Sequence, residues 1–84
     1  MSPAEQTVRS VVAEFGRMPV DVNDLPADAD LFQAGMSSQA SVNVMLGLED
    51  AFDVEFPDSM LNRGSFESIQ AIVGAIGRLT EEAA

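Results

Sequence analysis

A chain of 84 residues with 46% apolar side chains suits one small domain, too apolar for a disordered segment and too short to enclose a deep pocket. Fourteen Asp and Glu against four Arg give a net charge of −10, a field that repels nucleic acid and anionic membrane and favours basic protein surfaces. The lack of Cys, His, Lys and Tyr removes disulfides, thiolate metal sites and most general bases and nucleophiles, so the chain is not expected to be an enzyme.

Met1 to Gln6 has no basic region and no apolar run follows it, unlike a signal peptide. No apolar run approaches the roughly 20 residues of a transmembrane helix, and the expectation is a soluble, cytoplasmic monomer. A first helix starts with Ser2 as N-cap, Pro3 at the first helical position and Glu5 completing a capping-box pattern. Val8, Val11, Val12 and Phe15 make its apolar stripe, and Gly16 and Pro19 mark its end. The next segment, PVDVNDLPADADLFQAGM from Pro19 to Met36, carries two prolines, four aspartates and an asparagine, and is expected to be a long loop. Val20, Val22, Leu25, Leu31 and Phe32 would pin it to the core. Its acidic run fails as a calcium loop, because Pro26 stands where the sharp turn needs Gly and Phe32 where the last ligand must be Glu. No metal site is expected.

A second helix fits Ser38 to Phe52, with Ser37 as N-cap. Val42, Met45, Leu48 and Phe52, with Val44 beside them, give a core-facing stripe, and Leu46, Asn43, Glu49, Asp50 and Asp53 lie off it. After DVEFPD, a short third helix is expected at Ser59 to Asn62, stopped near Gly64. Ser65 would then cap a last helix striped by Ile69, Ile72, Val73 and Ile76 and extended by Leu79, with residues 79–84 as a frayed tail. Three amphipathic helices, one short helix and a long first loop define an all-α bundle in one domain over residues 1–84.

The serine pair in GMSSQASV, Gly35 to Val42, has a plain reading and a functional one. In the plain one, Ser37 caps a helix and Ser38 is merely small and polar. In the functional one, a hydroxyl on the first turn anchors a phosphate-linked group, because a helix N-terminus offers free N–H groups and partial positive charge. Gly35 lets the backbone turn sharply just before and leaves space around the hydroxyl.

The stretch FQAGMSSQASVNVMLGLEDAFDVEFPDSML resembles the acyl carrier protein family, small four-helix domains that carry thioesters. Phe32, Gly35, Ser38, Phe52 and the run Asp53-Val54-Glu55-Phe56-Pro57 stand in the places of that family's pattern. The resemblance implies that Ser38 receives 4′-phosphopantetheine from coenzyme A through a phosphopantetheinyl transferase, so that the reactive thiol absent from the chain arrives with the prosthetic group. Two positions depart from the pattern. Ser37 replaces the usual Asp before the serine, and Gln39 the usual Leu after it. GMSSQASVNVMLGLEDAFDVEFPD is more similar to stand-alone carriers loaded with glycine or alanine by an ATP-dependent ligase that resembles a seryl-tRNA synthetase core. The resemblance thus implies three partners: a transferase, a loading ligase and an acceptor enzyme. From Ser37 to Asp58 there are five carboxylates and no basic residue, which marks Glu49, Asp50, Asp53 and Glu55, with Leu46 and Gln39, as a docking surface. The rival expectation is an unmodified acidic adaptor for a basic protein, in which Ser38 has no role.

Overall fold

The computed structural model describes residues 2–83. Helix α1 spans Pro3–Phe15, α2 Ser38–Phe52, α3 Arg63–Phe66 and α4 Ile69–Ala83, with single 3₁₀ turns at Val22–Asp24 and Asp58–Met60. The described residues contain no strand. Helix α1 packs against both α2 and α4, and the short α3 sits on α4.

The core is assembled from one stripe of each long helix. Val8 and Val12 of α1, Val44 and Leu48 of α2, and Ile69 and Ile72 of α4 are fully buried, and Leu31 of the first loop joins them. Each such side chain contributes about 1.5–3 kcal/mol relative to exposure. Phe56 and Phe66 close one end with their rings tilted at 55° and centroids 5.3 Å apart.

Helix α1 begins as the sequence predicts, with the Glu5 amide donating to Ser2 Oγ at 3.1 Å. The capping box is only half made. The Glu5 carboxylate turns instead to Arg9, whose Nε donates to it at 3.1 Å. Gly16 caps the other end in a right-handed conformation, and the left-handed residue is Arg17, with φ 51°.

Arg9 organises the long loop. It is 5% exposed, and its Nη1 donates to the carbonyls of Val22 and Leu25, each at 2.8 Å. These bonds hold the first half of the loop against α1. The second half is tied to the far end of the chain: the Leu31 amide donates to Glu67 O at 2.7 Å, and the Gln70 amide to Ala27 O at 2.8 Å. Val22 and Leu31 are buried anchors, and Leu25 and Phe32 are partly buried ones. Val20 is not an anchor: it is 47% exposed.

Four further features differ from expectation. The buried stripe of α2 is Ala40, Val44 and Leu48, spaced by four residues, flanked by partly buried Met45 and Phe52, whereas Val42 is 52% exposed. The third helix lies at Arg63–Phe66 rather than Ser59 to Asn62, and Gly64 and Ser65 are inside it. Its cap is Asn62, whose Oδ1 accepts from the Ser65 amide at 3.0 Å. Ser65 therefore does not cap the last helix. Ser68 does, with Oγ accepting from the Ala71 amide at 3.0 Å. Helix α4 also continues to Ala83, with Leu79 buried, where a tail from residue 79 was expected; Ala84 lies outside the described residues.

Candidate functional site

Two elements place Ser38. The loop before it is fixed by Met36, which is buried and donates its amide to Leu31 O at 3.0 Å. Gly35 makes that turn with φ 126°, a backbone region that disfavours side chains. A Cβ there would also fall 2.4 Å from Pro19 Cδ. The room that Gly35 leaves is thus used by Pro19, which corrects the expectation that it clears the serine hydroxyl.

Ser37 then stops the loop. It is extended at φ −80°, ψ 162°, and its Oγ accepts from the Ala40 amide at 3.0 Å. Its hydroxyl is engaged in capping, whereas Ser38, the first residue of α2, is exposed and its Oγ makes no hydrogen bond among the described residues. The Ser38 and Gln39 amides have no backbone acceptor, as expected for the first turn of a helix. Ser41, one turn on, donates its Oγ to Ser38 O at 2.6 Å.

Beside Ser38 lies a shallow groove of about 410 Å³. Val42, Met45, Leu61 and Phe66 form its apolar walls, and Phe32, Asn62 and Arg63 line it with Ser38 and Ser41. The guanidinium of Arg63 sits over the Phe32 ring, 4.3 Å from its centroid. Composition and periodicity do not reveal this groove. It uses Val42, which the sequence assigns to the core, and Arg63, which nothing in the sequence marks. Arg9 carried a usable signal, since Glu5 and Arg9 are four residues apart on α1.

The anticipated docking residues divide. Gln39, Leu46, Asp50, Asp53 and Glu55 are exposed, and Leu46 is 53% so. Gln39, Leu46, Asp50 and Asp53 follow one another at helical spacing along a single exposed face, neutral at the Ser38 end and acidic at the other. Glu49 does not belong with them. It is partly buried, and its Oε2 accepts from the Phe56 amide at 2.9 Å, so it fastens the DVEF segment back onto α2. Asp53 caps α2 in a left-handed conformation, φ 53°. No cluster of His, Cys, Asp and Glu able to hold a metal occurs among the described residues, and no described helix is long and apolar enough to cross a membrane.

The bundle thus presents an exposed, unengaged hydroxyl at a helix start, next to an open groove. The comparisons with known proteins agree. Residues 6–76 match the family described as "Phosphopantetheine attachment site". The chain is 56% identical over 66 residues to an aminoacyl carrier protein of Agrobacterium fabrum, covering 79% of this chain and 80% of that one. It is 36% identical over 56 residues to a D-alanyl carrier protein of Lactobacillus helveticus, covering 66% and 71%. Its fold superposes with a TM-score of 0.87 and 49% identity on the carrier protein from Agrobacterium tumefaciens in a complex with an engineered Bradyrhizobium japonicum glycine:[carrier protein] ligase and ATP, covering 89% of this chain and 97% of that one.

The chain belongs to the phosphopantetheine-attachment family. It is a carrier, not a catalyst, and its prosthetic group is 4′-phosphopantetheine. The residues present suit that group: an exposed hydroxyl free to form the ester, free amides beside it, and no side chain closing over it.

Proposed function

We propose that the chain carries an amino acid, glycine or alanine, on a 4′-phosphopantetheine joined to Ser38. The observation that carries this reading is the division of labour in the serine pair. Ser37 Oγ is committed to the Ala40 amide at 3.0 Å, and the Ser38 hydroxyl is exposed and unengaged. When bound, the prosthetic group supplies the thiol that the chain lacks and holds the cargo as a thioester. The chain's own residues do the rest. Ser37 and Gly35 fix the direction of the first turn of α2, and the Ser38 and Gln39 amides, which have no backbone acceptor, would complement the charge of the phosphate ester. A mobile arm on a rigid anchor keeps the cargo at high local concentration for each partner.

The implied partners are a phosphopantetheinyl transferase, a loading ligase that resembles a seryl-tRNA synthetase core, and an acceptor enzyme. Their docking face is the exposed side of α2, with Gln39 and Leu46 nearest the arm and Asp50, Asp53 and Glu55 beyond. The similarity to aminoacyl and D-alanyl carriers supports the aminoacyl cargo. The uncharged sequence neighbours of Ser38 support it too, since Ser37 and Gln39 replace the acidic and apolar residues of the fatty-acid carrier pattern.

The test is loading of the modified protein. A glycine:carrier protein ligase with ATP should attach glycine or alanine, detected by intact mass and released by hydroxylamine. Leu46→Ala should slow this loading without lowering thermal stability, because Leu46 is 53% exposed and lies outside the core. Loading by fatty acyl groups alone would refute the aminoacyl reading.

A further inference from the structure

The four arginines of this acidic chain stand in very different places. Arg9 is buried beneath the loop, Arg17 follows α1, and Arg78 lines a separate polar cleft on α4. Arg63 lines the same groove as Ser38. Its guanidinium is held by a ring, not a carboxylate. The Phe32 centroid is 4.3 Å from Cζ, and the ion pair found among the described residues is Arg9–Glu5. The Phe32 backbone is held by its amide, which donates to Asp30 Oδ1 at 2.9 Å, and its side chain is partly buried against the core. A cation positioned by an aromatic face keeps its donors and its charge available for an anion. Among the described residues Arg17 and Arg78 also lack a carboxylate partner, and what sets Arg63 apart is that it lines the groove with Ser38 in a chain of net charge −10.

We propose that Arg63 is the counter-charge of the phosphodiester that joins the prosthetic group to Ser38, and so positions the root of the arm at the mouth of the groove. This rests on the reading that Ser38 bears the group. The diester carries one negative charge, added to a molecule already strongly negative. The guanidinium, which lines the same groove, would offer it charge-assisted hydrogen bonds, and the first-turn amides of α2, which have no backbone acceptor, would complement its charge. Arg63 takes no part in bond making. Its effect is on where the arm starts and on what modification costs the fold.

The experiment compares unmodified and modified protein in the wild type, Arg63→Gln, Arg63→Lys and Arg78→Gln, with intact mass confirming modification first. If the wild type gains no group, or Ser38→Ala still gains one, the attachment reading fails and the role of Arg63 falls with it. With attachment established, modification should change the melting temperature less favourably in Arg63→Gln than in the wild type, by about 1–5 °C at low salt. Arg78→Gln makes the same change in net charge away from the groove and should match the wild type, and Arg63→Lys should recover part of the difference. Added salt should shrink the difference. In the wild type itself, the Arg63 side-chain Nε–Hε resonance should move on modification and that of Arg78 should not. Equal melting shifts in all variants, or an unmoved Arg63 resonance, would overturn the proposal.

Discussion

Arg9 is the residue on which the loop depends most. Its Nη1 satisfies two loop carbonyls and its Nε pairs with the partly exposed Glu5, while the Arg9 side chain itself is buried. Arg9→Met would keep the apolar stem and leave both carbonyls unpaired. The expected loss is about 2–4 kcal/mol in denaturant unfolding, since hydrogen bonds to charged groups are the costly ones to break. Gly35→Ala should cost about 1–3 kcal/mol, because φ 126° is strained for alanine and the added carbon meets Pro19. At this scale the sequence told much about the serines and little about the arginines. Ser37 and Ser38 were legible because capping and exposure follow from position in the first turn of a helix. Arg63 was not, because its neighbour Phe32 is 31 residues away in the chain and only tertiary packing brings them together.

Among the elements, α2 and α4 treat glycine in opposite ways. A Cβ at Gly47 would lie 2.7 Å from the Phe15 ring and 2.9 Å from Val11 of α1. Gly47→Ala should therefore destabilise, overpacking by about 1–3 kcal/mol against a propensity gain of about 1 kcal/mol. Gly74 has nothing within 4 Å of a built Cβ, so Gly74→Ala should stabilise by about 0.5–1 kcal/mol in the same assay. The cap of α2 gives a third comparison. Ser37→Ala should cost about 1 kcal/mol, and Ser37→Asp should keep the cap and add a favourable charge at the helix start. The long helices were legible from their periodicity. The segment from Asp58 to Ser68 was not, because it offers several capping residues within a few positions. Local preference alone does not choose between Ser65 and the pair Asn62 and Ser68 that the packing selects. Val42 was misplaced for a different reason: its spacing suits a core stripe, but packing selects the stripe of Ala40, Val44 and Leu48 and leaves Val42 on the groove.

The molecule as a whole is small and strongly charged. Fourteen carboxylates on 84 residues repel one another, and salt relieves that repulsion as the screening length falls from about 30 Å to about 8 Å between low and physiological ionic strength. Melting temperature should rise over that range, measured by circular dichroism; a fall would contradict the view that self-repulsion limits stability. The negative field would also speed encounter with a basic surface more than it tightens the complex. The overall bundle could be read from the sequence, since hydrophobic periodicity marks its three long helices. The groove could not, because it is made where the loop, α2 and α3 meet.

The central claim is that the Ser38 hydroxyl bears the prosthetic group while Ser37 holds the helix. The most direct measurement is the intact mass of the wild type, Ser37→Ala and Ser38→Ala after incubation with coenzyme A and a phosphopantetheinyl transferase. The wild type and Ser37→Ala should each gain the mass of one phosphopantetheine group, and Ser38→Ala none. A gain that survives Ser38→Ala, or a wild type that stays unmodified with transferases active on related carriers, would contradict the account.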